Sequence, residues 1–113
     1  VDLILVAEGL PRSLSARFDL LLPIVEEARQ AKPGVFIQVY PLSVEEARKH
    51  RPIYLDALTD GVLIYDRDGF LYAVLKDLAD RLQELGARKV YFSDGSWAWV
   101  LKPGLKLGEV LEV

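Results

Sequence analysis

A chain of 113 residues can build a real hydrophobic core, and its net charge of −3 leaves it no basic excess. That balance argues against a non-specific nucleic-acid or anionic-membrane binder, because such proteins present a basic field. Cysteine is absent, so disulfides and thiolate metal sites are excluded.

No apolar run approaches the ~18 residues a membrane-spanning helix needs. The expectation is a cytoplasmic protein with a single domain over residues 1–113 and no membrane partner. Few Met and Cys beside many Glu, Arg and Leu match a thermophile's composition.

The first residues, Val1 to Ala7, read as a buried strand interrupted only by Asp2. Gly9 and Pro11 turn the chain out of it. From Ser13 to Ala31, Phe18, Leu21, Leu22, Val25 and Ala28 recur at helical spacing, with Pro23 expected to kink the helix or start a second one. "KPG" at 32–34 ends that segment, and Val35 to Tyr40 is the next strand.

"SVEE" at 43–46 is a capping box: Ser43 can accept from the Glu46 amide while the Glu46 side chain reaches back. The helix it opens stops near Pro52. "IYLDALTDG" is a further short helix, and Val62 to Tyr65 is expected to be a strand.

Leu71, Val74, Leu75, Leu78, Leu82 and Leu85 form one helical stripe ended by Gly86, expected to pack on a sheet. Lys89 to Phe92 and Trp97 to Leu101 flank Asp94-Gly95 as a β-hairpin. "KPGLKLGEVLEV" follows as an edge-packing tail. Helices and strands in this order predict an α+β fold, a mixed β-sheet covered by helices with a C-terminal β-hairpin.

Common catalytic signatures are missing: there is no P-loop, Rossmann glycine fingerprint, nucleophile elbow or zinc-type histidine pair. His50, the single histidine, reads as a solvated residue near a helix C-terminus. The acidic pairs at 26–27 and 45–46 read as solvated faces with local ion pairs. Trp97 and Trp99, two apart on a strand, share a face that packs against a helix, offers a stacking platform for a base or forms an interface patch. Asp2 stands apart, because a carboxylate among Val, Leu and Ile must face water, a metal or a polar partner.

"VDLILVAEGLP" with its following amphipathic helix resembles the second half of the nucleotidyltransferase motif of the polymerase-beta superfamily. "VYPLSVEEA", "RPIYLDALTDGVLIYD" and "LADRLQELGARKVYFSDGSWAWVLKPG" with "GEVLEV" continue the resemblance to small archaeal stand-alone members. The resemblance implies a nucleotidyltransferase-like fold and a chain that starts inside the motif, with a Gly-Ser and a first Asp before Val1.

It makes Asp2 the second carboxylate of an Asp-x-Asp, a catalytic and Mg²⁺-ligating residue, and places the third metal position at Gln38. Gln is neutral where the family carries a carboxylate, although its carbonyl oxygen can ligate a hard cation. The parent reaction transfers a nucleoside monophosphate from an NTP to an acceptor with Mg²⁺. This chain as it stands is expected to be inactive. The alternative is a non-catalytic module: an antitoxin-like partner of a helical HEPN-type protein, or a homodimer subunit.

Overall fold

In a computed structural model, residues 1–104 and 113 are described, and they form two compact units, Val1–Lys49 and His50–Val113. The class is α+β, as the alternation of patterns predicts.

The first unit begins with strand β1 (Asp2–Val6), crosses through helix α1 (Leu14–Ala31) and returns as strand β2 (Gln38–Leu42). The strands pair in parallel, Asp2 with Gln38 through Val6 with Leu42. Parallel neighbours need a long crossover, and α1 supplies it. Ser13 caps α1 by accepting from the Ala16 amide.

Pro23 neither ends α1 nor splits it. The helix runs through it as one element, with the proline on the exposed side. Pro lacks the amide for one intrahelical bond, and on the outer face the carbonyl left over is open to water.

Helix α2 (Val44–Arg48) starts with both halves of the expected capping box: Ser43 Oγ accepts from the Glu46 amide, and Glu46 Oε1 accepts from the Ser43 amide. Both α1 and α2 lie against β2.

The second unit opens with helix α3 (Pro52–Asp60), where Pro52 holds the first helical position and so loses no hydrogen bond. Gly61 closes it. Its amide bonds the Ala57 carbonyl, and a Cβ there would collide with that same carbonyl.

A 3₁₀ turn at Arg67–Gly69 then leads into helix α4 (Phe70–Leu85). Asp66 caps α4 from upstream: Oδ1 accepts from the Leu71 amide at 2.8 Å and Oδ2 from the Tyr72 amide at 2.9 Å. Gly86 ends it with φ of 72°, the left-handed conformation expected of a C-terminal glycine.

Strands β3 (Arg88–Tyr91) and β4 (Trp97–Val100) form the C-terminal antiparallel hairpin. Its loop is a turn from Phe92 to Gly95 followed by left-handed Gly95, and the Phe92 amide bonds the Ser96 carbonyl. This is the three-residue hairpin geometry that favours glycine at its third position.

Two expectations need correction. The described residues contain no single mixed sheet; each unit has its own two-stranded one. Val62–Tyr65 is not a strand. Its side chains are largely exposed, Ile64 at 84%, and no strand among the described residues pairs with it. β-propensity expresses fit to a half-buried pleated surface, and without a neighbour the segment has nothing to fit.

The α4 stripe is real. Leu78 and Leu82 are buried and Leu71, Val74, Leu75 and Leu85 are half-buried. Among the described elements it lies against helix α3 and the 3₁₀ turn that precedes it. The tail expectation for "GEVLEV" falls largely outside the described residues.

Candidate functional site

Asp2 and Gln38 are direct register partners at the start of β1 and β2. Paired residues of neighbouring strands project to the same face, and strands lie ~4.8 Å apart. Both residues are exposed. The next pairs on that face are Ile4 with Tyr40 and Val6 with Leu42.

The opposite face carries Leu3, Leu5 and Val39. With Leu21, Val25 and Ala28 of α1 they line an apolar cavity of about 80 Å³. That is too small for a nucleotide, since ligand pockets run to roughly 300 Å³ and above. The alternation of a strand therefore sorts the side chains of this apolar run: Leu3 and Leu5 meet α1, and Asp2 is left on the other side.

The strand termini are braced by a residue the sequence reading missed. Arg17 of α1 is buried. Its Nε donates to the Pro11 carbonyl at 2.6 Å, and Nη1 donates to the Pro41 carbonyl at 3.1 Å and to Glu46 Oε1 at 2.6 Å. One guanidinium thus ties the loop after β1, the end of β2 and the start of α2.

Glu46 accepts from the Ser43 amide and from Arg17 together, and these bonds to its charged form hold its pKa down from 4.5 to about 2. Periodicity marked Arg17 only as a polar residue on a helix. Its offset of one turn from Leu21 is the signal that placed it on the inner face.

The other candidates are accounted for by packing. Glu26 pairs locally with Arg29 at 3.0 Å, as expected. Glu46 pairs with Arg17, 29 residues away. His50 lies beyond the end of α2, not in its last turn, and its Nε2 sits 3.1 Å from Asp77 Oδ2 on α4.

Lys89, Tyr91, Trp97 and Trp99 share one face of the hairpin, because Lys89 pairs with Trp99 and Tyr91 with Trp97. The Lys89 ammonium stands 4.7 Å from the Trp97 ring centre and 5.5 Å from that of Tyr91, and bonds Thr59 Oγ1 and Asp60 Oδ2 on α3. Trp97 donates to Asp56 Oδ1 at 3.2 Å. The ring face that could stack a base already carries a cation, and the carboxylates around it disfavour a nucleic acid backbone.

Comparison with protein-family models, curated proteins and solved structures returns no match. The functional reading rests on the residues themselves. Among the described residues no three His, Cys, Asp or Glu side chains converge as a metal site. Asp2 and Gln38 supply one carboxylate and one neutral amide oxygen, which do not fit a resident pair of magnesium ions. Among the described residues no helix is long and apolar enough to cross a membrane.

Proposed function

We propose that the chain is a cytoplasmic nucleotidyltransferase-like module whose nucleotide-facing edge is the start of β1 and β2. The observation that supports this reading is the register pairing of Asp2 with Gln38 on parallel strands joined by α1. The parent chemistry is transfer of a nucleoside monophosphate from an NTP to a small-molecule or protein acceptor.

Residues 1–113 alone do not carry it out. Such reactions depend on concentrated positive charge at the phosphates, and one carboxylate cannot hold the metal ions that supply it. The purified chain, incubated with each labelled NTP, Mg²⁺ or Mn²⁺ and candidate acceptors, transfers no label. Metal-dependent labelling that disappears in Asp2→Ala would overturn that statement.

A second reading, a non-catalytic interaction module, is favoured by one feature of α1. Leu14, Phe18 and Leu22 are each about half exposed and follow one another at intervals of four, as a stripe on one side of the helix. A helical protein of the HEPN type or a second copy of the chain would cover such a stripe. Solution mass, alone and with the product of any adjacent gene for a small helical protein, separates the two readings: a stable complex that Phe18→Asp abolishes favours the interaction module.

A further inference from the structure

We propose that Asp68–Gly69 is a site of spontaneous backbone modification, where the aspartate cyclises to a succinimide and reopens as an isoaspartyl or D-aspartyl residue, and that this loosens the cap of α4. The proposal is independent of the nucleotide reading. It rests on the turn that joins Asp66 to α4.

In this chemistry the backbone nitrogen of the following residue attacks the side-chain Cγ of a protonated aspartic acid. A C–N bond forms, the Cγ–OH bond breaks, and the hydroxyl leaves with the amide proton as water. Water then adds to either ring carbonyl. Addition at Cγ restores aspartate, whereas addition at the main-chain carbonyl leaves the chain running through Cβ and Cγ. Water is the only co-reactant, and the final mass is unchanged. A following glycine favours the attack, because it brings no Cβ beside the nitrogen and bends freely.

The chain has three Asp-Gly pairs, at 60–61, 68–69 and 94–95. The fold restrains two of them. Asp60 Oδ2 accepts from Lys89 Nζ and Thr59 Oγ1, and the Gly61 amide donates to the Ala57 carbonyl at 2.9 Å. Asp94 Oδ1 accepts from the Ser96 hydroxyl and the Ser96 amide, which hold its carboxyl below the usual range and so in the form that does not cyclise. The Gly95 amide donates to the Phe92 carbonyl at 3.1 Å.

Asp68 differs in each respect. Its carboxylate is exposed and makes no hydrogen bond or ion pair among the described residues. The Gly69 amide reaches the Asp66 carbonyl only at 3.4 Å. Asp68 is also the one non-glycine residue among those described with a positive φ, 57°. An L-residue is disfavoured there, and its mirror image prefers that region. The Cα proton of a succinimide exchanges readily, so the ring reopens to D- as well as L-products, and this left-handed turn favours the D-form.

The isoaspartyl product adds one main-chain atom between Asp66 and α4. Asp66 caps that helix through the Leu71 and Tyr72 amides, so a longer turn draws the cap away from them.

The test ages the folded protein in mildly acidic buffer beside a sample unfolded in urea, until the unfolded sample has isomerised at all three pairs. Proteolytic peptides are separated against synthetic isoaspartyl and D-aspartyl standards and fragmented by electron transfer. In the folded sample Asp68 should convert about tenfold or more faster than Asp60 and Asp94, because those two must first break hydrogen bonds to a charged group. In urea the three rates should converge. Amide hydrogen exchange at Leu71 and Tyr72 should quicken in the aged wild type. It should not quicken in aged Asp68→Gly, which suits the positive φ and cannot cyclise. Equal rates at the three pairs of the folded protein, a faster rate at Asp60 or Asp94, or an unmodified Asp68 overturns the site. Unchanged exchange at Leu71 and Tyr72 in a converted sample overturns the loss of the cap.

Discussion

Arg17 shows how much one side chain can organise when its partners lie on three different segments. Its guanidinium saturates the carbonyls of Pro11 and Pro41, neither of which has its donor nearby in the sequence. Arg17→Ala leaves both without that donor, and a buried carbonyl so stranded costs about 1–3 kcal/mol. The expected loss is about 2 kcal/mol or more, read from urea unfolding followed by far-ultraviolet circular dichroism.

Glu46, on the other end of the pair, gives a pH signature. Its folded pKa of about 2 lies below the ordinary 4.5, so the contribution of its bonds to the Ser43 amide and to Arg17 is fully present above pH 4.5 and is lost as pH falls towards about 2. Stability should hold level from pH 7 to 5 and fall below that, and Glu46→Gln should flatten the fall. An acid slope unchanged by that substitution would move its cause to other carboxylates. The Ser43–Glu46 half was legible as a capping box, but the Arg17 half was not. Helical periodicity identifies the inner face of α1, but the carbonyls and carboxylate that Arg17 meets are 6, 24 and 29 residues away.

At the scale of whole elements, legibility followed the range of the cause. The α2 cap was readable because both hydrogen bonds close within three residues. The hairpin was readable because its turn chemistry is local. The pairing of β1 with β2 was expected from their apolar runs together with the family resemblance, and the observed register places Asp2 directly opposite Gln38.

The Val62–Tyr65 segment failed for the converse reason. A strand is a relation between two segments, and composition reports only one of them. Helix α4 carries the clearest energetic expectation: Leu78 is 1% exposed, so Leu78→Ala should cost roughly 2–5 kcal/mol. A loss under about 1 kcal/mol would mean the site collapses around the smaller side chain.

Helix α1 carries the opposite sign. An interior proline costs a helix about 3 kcal/mol, and removing it returns about 1 kcal/mol of freedom to the unfolded chain. Pro23→Ala at its exposed position should therefore stabilise the protein by about 2 kcal/mol in the same unfolding measurement.

The molecule as a whole divides at Lys49–His50, and the division sorts its chemistry. The unit before it holds Asp2, Gln38 and the Arg17 brace; the unit after it holds the α3–α4 packing and the aromatic face of the hairpin. The residues that the proposed nucleotidyltransferase reading singles out all fall in the first.

Both tryptophans fall in the second, on β4. Trp97 lies against an ammonium and a carboxylate, and the indole N–H of Trp99 is buried with no partner among the described residues. The protein's native emission is therefore a reading of the hairpin, tuned by the charges around one ring. Val1–Lys49 contributes no indole to it. Placing an indole at Tyr40, one pair along from Gln38 on the same face, would give the silent half of the molecule its own optical voice.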